Sequence, residues 1–466
     1  RSGKYAKDKL VVNFITKQYR YGGYVQADGL QTIGYDHGDY NVATNYVKGN
    51  NSYTVFAGAN YSHVDGTETW NNENYQFPQS LFDRESYSKN SYQNHQEYMQ
   101  FRYQNQKGKR YWVGKFTLVN LSTPRKASSG FASESTETDI FSNIRKKSLS
   151  PKIDLNANLP LSKNQTLTLG VHGKYSANSY HRLYQEQPFE AMTDEDENAL
   201  SFQLSAIYNY FSQKHSLSVE LFHYHDVWNA DYSGNCELWQ HLWKGESLAF
   251  FSYNFQASRR LSLKTRIGLD WLQYHLHGDN SFSQLSPRIN TNVQYQLNKG
   301  MLLWSFNFVN SNHGMDVINR AMIQVNSHMM EKGMPELKKS HDINTYLYYM
   351  GRFNRLSVSA IGQFRYNHHP VTDDYYLDEA NGKIVKTYSN GGNAQYYSAI
   401  LALQYKLCKF ANLSGDIRYS HAEVKTTWSK HNNNLTGNLG LNMFMGDFAL
   451  KPYLHFGKKS LDEAAL

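Results

Sequence analysis

Two pairs of histidines are the residues whose type and spacing come nearest to a metal site. His223 and His225 stand two residues apart, as do His275 and His277. Residues i and i+2 of a β-strand project from the same face, and two imidazole nitrogens there can share a metal ion. Each pair, however, continues the alternating run of apolar residues in its own segment. We therefore expect these histidines at the outer rim of the fold, near lipid headgroups or solvent, and predict no metal site.

The sequence contains no motif typical of a hydrolytic enzyme or of a calcium-binding loop. The chain contains neither a Gly-x-Ser-x-Gly nucleophile motif nor a His-Glu-x-x-His zinc motif. The acidic run Asp194–Glu197 lacks the glycine-punctuated spacing of a calcium loop. Cys236 lies in a polar loop and Cys408 beside a tight turn, so we expect both thiols to be free. The sequence predicts a protein that is not an enzyme and needs no cofactor.

Apolar and polar residues alternate along many segments of the chain. In Leu167–Tyr175 the odd positions are apolar or small, and the even positions are mostly polar. The same alternation occurs in Leu217–Leu221, Leu261–Trp271, Leu356–Tyr366 and Leu435–Met443. Such a period gives a β-strand one apolar and one polar face, and tilted strands of ~10 residues are long enough to cross a bilayer.

Short turns and long polar segments connect these strands in rotation. The long segments, rich in Asn, Ser, Asp, Glu and His, are 65–92, 123–145, 176–197, 229–246, 276–284, 310–337, 368–393 and 424–433. In outer-membrane barrels the short turns face the periplasm and the long loops face outside. We therefore predict an all-β fold, a transmembrane antiparallel β-barrel with about 18 or 19 strands present.

The composition agrees with a barrel. Hydrophobic residues make up 40% of the chain and the mean hydropathy is −0.68, because a barrel places its apolar band on every second residue. The 37 tyrosines suit the interfacial girdles, where outer-membrane lipid is the partner. The net charge of +8 is spread along the chain, whereas a nucleic-acid binder concentrates it, so we expect no nucleic-acid partner. The alternative for this composition is a soluble glycan-binding β-protein.

The sharpest strands predict which side chains face lipid and which face the lumen. Leu302, Trp304, Phe306 and Phe308 share the apolar face of one strand and are expected to meet lipid. Charged and amide side chains at alternating positions are costly against hydrocarbon but ordinary against a wet lumen. The residues expected to face the lumen are Lys264, Arg266, Asp270, Gln363 and Arg365.

Both ends of the chain differ from those of a complete barrel protein. The sequence begins at Arg1 without a secretion leader, and it continues with polar residues after a strand over Phe448–Phe456. Barrels of this kind close on themselves because closure removes both sheet edges. We expect material to be missing at both ends, and the strands at Tyr21–Ala27 and Phe448–Phe456 to be unpaired on one side.

The first residues resemble the plug-to-barrel junction of TonB-dependent outer-membrane receptors. After a basic start that includes Lys4-Tyr5 comes an apolar strand ending Ile-Thr-Lys, formed by Val11, Val12, Asn13, Phe14, Ile15, Thr16 and Lys17. Leu285–Ile289 is similar to a Pro-Arg strand opening in that family, and Gly333–Lys338 resembles an Asn-Pro-x-Leu-Lys-Pro-Glu element. The latter departs at Met334, where Asn is usual, and at Lys339, where Pro is usual. The Tyr- and Asn-rich barrel looks most like Bacteroidetes receptors.

The resemblance implies a 22-strand barrel whose lumen is filled by an N-terminal plug. Residues 1–18 are then the end of the plug, and residues 19–466 a barrel that is incomplete at its C-terminus. The implied function is import of a nutrient across the outer membrane of a Gram-negative bacterium. Loops bind the ligand (a glycan, siderophore, cobalamin or peptide), and the TonB complex supplies energy through a preceding region. Two alternatives stay open: a passive porin-like barrel, and a barrel scaffold that binds a surface lipoprotein.

Overall fold

A computed structural model describes residues 21–457, except 35, 79, 134–135, 280, 312–313, 427–428 and 447. Nearly all of these residues form antiparallel strands, so the predicted fold class is confirmed. Among them the single helix is α1 (Met315–Ile318), and no helix there has the length and apolarity needed to cross a bilayer.

The strands follow one another as consecutive hairpins. In the first half of the chain they are β1 (Tyr21–Thr32), β2 (Asp36–Lys48), β3 (Asn51–Phe77), β4 (Ser80–Lys107), β5 (Arg110–Ser133), β6 (Glu137–Ser162), β7 (Gln165–Glu186), β8 (Phe189–Phe211), β9 (His215–Gly234) and β10 (Leu238–Gln256). In the second half they are β11 (Leu261–Leu276), β12 (Ser281–Leu297), β13 (Gly300–Ser311), β14 (Met322–Gln324), β15 (Met329–Lys332), β16 (Ser340–Phe353), β17 (Leu356–His368), β18 (Thr372–Asp378), β19 (Lys383–Ser389), β20 (Asn393–Lys406), β21 (Ala411–Lys425), β22 (Ser429–Met445), β23 (Phe448–Leu450) and β24 (Tyr453–Phe456).

Twenty of these strands form one sheet, which we call the wall. Each wall strand pairs with the next wall strand along the chain, with β13 followed by β16 and β17 by β20. The last two, β23 and β24, share one neighbour, β22. They are two pieces of a single edge strand interrupted at Pro452, which has no N–H to donate to the ladder. The wall therefore has 19 positions, in line with the predicted count.

The long polar segments of the first half are strands rather than loops, which corrects the sequence-based assignment. Segments 65–92, 123–145, 176–197 and 229–246 lie largely within β3–β10, whose lengths are 19 to 28 residues. The ladder between β3 and β4 runs from Asn51 to Phe77 with a single irregularity, at Gly66. Cross-strand hydrogen bonds thus continue past the ~10 residues that a bilayer requires, because polar side chains on both faces suit a strand standing in water.

Two further segments predicted as loops, 310–337 and 368–393, contain a second sheet. Its strands lie in the order β14, β15, β19, β18, and the β15–β19 pair is parallel. The hairpin between β18 and β19 turns at Asn381-Gly382, where Gly382 has a φ of +68° that glycine adopts without strain. We call residues 314–339 and 369–392, which include this sheet and α1, the cap.

Side-chain exposure follows the predicted alternation in part. Trp304 is exposed and its neighbour Ser305 is 2% exposed, whereas Leu302, Phe306 and Phe308 are half-buried. That these four apolar residues face lipid stays a prediction. On the following strands Leu401, Ile417 and Leu439 are exposed at directly opposed or neighbouring positions. Because these apolar side chains form a continuous outward strip, they fit the lipid-facing surface of a barrel.

The two edge strands of the wall are each paired on one side. Within the described ranges β1 pairs with β2, and β23 and β24 pair with β22, while no ladder joins the first strand to the last. This agrees with the open edges expected at Tyr21–Ala27 and Phe448–Phe456. Completion of the wall by strands after Leu466 stays a prediction.

An arginine scan at one depth tests the face assignment. Leu401→Arg should lower the free energy of unfolding by ~2–4 kcal/mol, because a guanidinium would then face hydrocarbon near the middle of the band. The matched control is Ala402→Arg, one residue on and opposite Asp416, which should cost at most about 1 kcal/mol. A folding titration in lipid vesicles measures both, and equal costs would contradict the assigned register.

Candidate functional site

The cap is attached to the wall by a hydrophobic cluster. Wall residues from β9, β10 and β11 pack against α1 and the segments around it. The buried members are Ala230, Tyr232, Leu242, Leu276, Met315, Ile318, Ala321 and Leu337. Burying a side chain such as Leu242, Leu276 or Ile318 contributes about 1.5–3 kcal/mol, so this cluster stabilises the attachment.

Gly333 makes this packing possible. A Cβ atom there would collide with the carbonyl oxygens of Val317 and Asn319, because the chain passes directly against the end of α1. Met334 then donates its backbone N–H to the Val317 carbonyl, and Tyr274 donates its hydroxyl to the Pro335 carbonyl. The Gly333–Lys338 element quoted from the sequence is therefore a structural part of the cap.

A cluster of charged side chains attaches the other side of the cap to β3, β4 and β7. Arg84 is 5% exposed and lies 3.0 Å from Glu186 and 2.6 Å, Nη1 to Nδ1, from His328 of the cap. Tyr184 donates to Glu186 at 2.9 Å, and His328 Nε2 lies 3.6 Å from Glu73. We call these five residues the Arg84 cluster. It joins strands to a cap residue 244 positions away in sequence.

Two carboxyl groups of this cluster, both far above the lipid-spanning part of the wall, have shifted pKa values. Burial alone raises the pKa of Glu186, but hydrogen bonds from Ser327 and the charge of Arg84 outweigh it, so the net pKa lies below its usual value. The close contact with His328 is the main cause that lowers the pKa of Glu73. Burial raises the pKa of Tyr184 to about 12. The cluster therefore consists of ionised carboxylates around a buried guanidinium at neutral pH.

The base of the cap carries a second charged cluster. Asp270 on β11 is 0% exposed and contacts Lys339 Nζ at 2.9 Å and Arg288 Nη2 at 2.7 Å. Arg288 also contacts Glu246 at 3.0 Å. The Lys339 side chain is itself fully buried, immediately before β16 begins. These four residues, the Asp270 cluster, pair two acids with two bases and fix the point where the cap returns to the wall.

The cap lies on the inner side of the wall. It contacts β3 and β4 through the Arg84 cluster and β9–β11 through the hydrophobic cluster. Strands that are five or more positions apart in a curved sheet can meet one element only on the concave face. The cap therefore crosses the extracellular mouth of the lumen.

A polar cavity of about 1040 Å³ lies between the cap and strands β3–β8. Nine of its 20 lining residues have amide or hydroxyl side chains and seven are charged, with Lys146, Lys147 and Arg182 on the wall. Glu195 and Glu197 lie on β8, and Asp316 and Glu331 project from the cap. Burial raises the pKa of Glu195 above its usual value. A smaller cavity of about 240 Å³ shares these four acids. The site offers many hydrogen-bonding groups and separated charges of both signs.

The residues predicted to face the lumen occupy two separate places. Arg266 lies 2.6 Å from Glu220, and Asp270 anchors the cap. Gln363 and Arg365 line one cavity of about 300 Å³, where Arg365 pairs with Asp342 at 2.7 Å. Four strand positions, or roughly 19 Å, separate the two places. These contacts are compatible with the inward orientation, which stays a prediction for all five residues, including the exposed Lys264.

The remaining sequence-based assignments have mixed outcomes. Val11–Lys17 lie outside the described residues. Both cysteines are free, as expected. Among the described residues no group of three or more His, Cys, Asp or Glu side chains could hold a metal ion. His223 bonds Ser247, and His225 accepts a hydrogen bond from Trp243.

Sequence reasoning missed the residues that hold the cap. Arg84, Glu186 and His328 stand in segments that were read as loops, and nothing local marks them as partners. Two signals were available. The Asn381-Gly382 turn between β-forming residues indicates a hairpin, and Lys339 is a charged residue at a position where the resembled element has Pro.

Comparisons with known proteins agree on the fold. No protein-family model matches the chain, and no curated protein matches its sequence. Among solved structures, the copper transporter OprC matches with a TM-score of 0.61 at 10% identity, over 96% of this chain and 68% of that one. P. aeruginosa FpvA bound to heterologous pyoverdines matches with a TM-score of 0.57 at 10% identity, over 94% and 61%. The outer membrane transporter YddB from Escherichia coli matches with a TM-score of 0.51 at 11% identity, over 88% and 61%. The chain thus has the fold of outer-membrane β-barrel transporters and spans about two thirds of their length.

Removing one charge from the Asp270 cluster should loosen the cap. Asp270→Asn leaves the buried Lys339 without its countercharge and should cost about 3–5 kcal/mol of unfolding free energy. The double variant Asp270→Asn with Lys339→Met should recover most of this loss. As a control, Arg365→Gln removes a partly exposed pair and should cost at most about 1 kcal/mol. Denaturant titrations measure all three, and a neutral Asp270→Asn would contradict the proposed anchoring.

Acid should detach the side of the cap that the Arg84 cluster holds. Because the folded-state pKa of Glu186 lies below its usual 4.5, its contribution is complete above that pH and is lost as the pH falls through the lowered value. Hydrogen exchange of residues 314–339, corrected for intrinsic rates, should therefore accelerate below about pH 4.5. Glu186→Gln should exchange rapidly at every pH, whereas Glu190→Gln, an exposed neighbour bonded to Gln185, should behave as wild type. Acid-insensitive exchange in the wild type would contradict this assignment.

Proposed function

We propose that this chain is the barrel of a TonB-dependent outer-membrane receptor that binds a nutrient beneath the cap and imports it through the lumen. The observation that carries the proposal is the cap itself, held at both sides over a polar cavity of about 1040 Å³. A passive channel has no need of a folded element fastened across its mouth. In a receptor, such an element retains the ligand until energy is supplied.

The likeness to transporters supports this reading. The copper transporter OprC and FpvA, which is bound to pyoverdines in its structure, share the architecture of the wall. On this proposal, residues 1–18 are the end of a plug and residues 19–466 belong to the barrel. The region that contacts the TonB complex precedes this sequence. Placement in the outer membrane of a Gram-negative bacterium, with Bacteroidetes as the lineage, belongs to the same proposal.

The lining of the cavity favours a polar ligand. Cavities of ~300–1,000 Å³ enclose single ligands of drug-like size. Amide side chains such as Asn94 and Asn178, with the hydroxyls of Ser122 and Ser179, both donate and accept hydrogen bonds. Sugar hydroxyls, peptide groups and the oxygen donors of a siderophore all match this set. A glycan, siderophore, cobalamin or peptide is therefore the expected class.

The two attachments of the cap differ in the kind of contact, and this difference implies an order of events during import. The hydrophobic cluster on β9–β11 stays closed in water, since separating it exposes apolar surface. The Arg84 cluster is joined by polar contacts, which water or a charged ligand can replace. Opening therefore begins at β3, β4 and β7, where the cavity is adjacent. Ligand then enters, the cap closes over it, and withdrawal of the plug by TonB opens the path to the periplasm.

Uptake by intact cells tests this function. Cells that lack the full-length gene product should lose accumulation of one class among maltooligosaccharides, ferric siderophores, cobalamin and oligopeptides. The same loss is expected when TonB is deleted or the proton gradient is dissipated. Glu197→Gln in the cavity should weaken uptake, while Glu190→Gln, outside it, should not. Uptake that persists without TonB would favour a passive porin-like barrel. Unchanged uptake with loss of a surface lipoprotein would favour a scaffold.

A further inference from the structure

Three aromatic side chains form a row on the extracellular part of the wall. Trp70 on β3 stands directly opposite Tyr87 on β4, which stands directly opposite Phe131 on β5. The ring centroids of Trp70 and Tyr87 are 4.5 Å apart, and those of Tyr87 and Phe131 are 5.6 Å apart. Trp70 is 73% exposed, an unusual fraction for so large an apolar side chain. We call these residues the aromatic row.

The row faces away from the lumen. Arg84 and Glu73, directly opposed on β4 and β3, both contact His328 of the cap, so they point inward. Side chains of a strand alternate between its faces. Tyr87 is an odd number of residues from Arg84, as Trp70 is from Glu73, and both therefore point outward. The row is not part of the import path.

The row also lies above the lipid. Trp70 lies about 19 residues along β3 from the turn before Asn51. At ~3.3 Å per residue and ~40° tilt, its height above that turn is roughly 50 Å, whereas the apolar band of a barrel is only ~25 Å tall. An aromatic girdle would lie at the edge of that band. The rings therefore meet water or a molecule that stands in water.

Hydrogen-bonding side chains border the row above and below. On one side Glu68, Lys89 and Ser129 stand opposite one another across the same three strands. On the other side stand Asn72, Glu85 and Ser133, with the Asn72 amide donating to Glu85 at 3.4 Å. A pyranose has apolar C–H faces and a rim of hydroxyls. An aromatic strip between two polar strips matches both, with rings for the faces and charged or amide groups for the rim.

The size of the strip argues against a protein partner. Three aromatic side chains bury ~150–250 Å² each at most, which totals less than the ~800 Å² per partner that a stable protein interface needs. The bordering charges argue against insertion into lipid acyl chains. A sugar chain needs only two or three rings to stack on.

We infer that the aromatic row binds the oligosaccharide of an outer-leaflet glycolipid, whose sugars stand beside the outward face of the wall at this height. Each ring stacks on one sugar unit, and Glu68, Lys89, Asn72 and Glu85 bond the hydroxyls. The inference depends on the outer-membrane placement in the proposed function but not on import. Loss of sugar binding and loss of uptake are therefore separate outcomes.

A binding measurement on the purified full-length protein tests this inference. The probe is the core oligosaccharide released from lipopolysaccharide by mild acid. Trp70→Ala should weaken its affinity about tenfold or more, whereas Trp70→Phe, which keeps a ring, should stay within about threefold. The matched control is Leu81→Ala, another exposed apolar residue of β4 outside the row, which should bind as wild type. Absence of binding, or equal binding by Trp70→Ala, would overturn the inference.

Hydroxyl-radical footprinting of the wild-type protein in cells gives a second measurement that needs no variant. Oxidation of Trp70 should rise at least about threefold in cells whose glycolipid lacks its sugar chain, since the stacked sugars no longer shield the indole. Trp239, exposed elsewhere on the wall, serves as reference. Equal oxidation of Trp70 in cells with and without the sugar chain would contradict glycolipid binding. Binding of maltoheptaose in place of the core oligosaccharide would assign the row to a free glycan and overturn the source proposed here. Protection by a copurifying protein would likewise overturn it.

Discussion

The structure depends first on the rule that backbone N–H and C=O groups inside lipid must find partners within the protein. An antiparallel ladder meets this rule for every strand that has a neighbour on each side. Hairpin connections make consecutive strands neighbours, so the order of the wall repeats the order of the sequence. The alternation of side chains follows, because each paired strand shows one face to hydrocarbon and one to water. Pro452 obeys the same rule: it stands in the edge strand, between β23 and β24, where a missing N–H interrupts pairing on one side only.

The cap is held by two kinds of interaction whose physical roles differ. Apolar contacts around Ile318, Leu242 and Leu276 remove surface from water and stabilise the attachment without fixing its geometry closely. The buried ion pairs at Arg84 and Asp270 gain little net stability, because desolvation offsets most of the attraction. They act instead on specificity, since any other position of the cap leaves a buried charge without a partner. Together they explain how the cap, whose own sheet consists of four short strands, holds one position.

The sequence is more informative about the wall than about the cap, for a physical reason. Lipid-facing alternation is a local signal, so the segments around Leu261–Trp271 and Leu356–Tyr366 could be read directly. In the Arg84 cluster, Arg84 contacts residues 100 and 244 positions away, and no local pattern reports such pairs. Asp270 was predicted to face the lumen with Lys264 and Arg266, but its partner Lys339 depends on the path of the cap. The extended hairpins were missed because Asn- and Ser-rich segments have low strand propensity, and cross-strand pairing overrides it.

The wall strands are unequal in height. Strands β3–β10 contain 19 to 28 residues, whereas the wall strands from β11 to β22 contain 12 to 17. A difference of about ten residues raises one side of the rim by roughly 25 Å over the other. The barrel therefore differs between its two sides within the plane of the membrane, as well as between its two ends across the membrane. A large molecule moving along the cell surface therefore meets a tall wall on the side of β3–β10 and a low rim on the side of β11–β22.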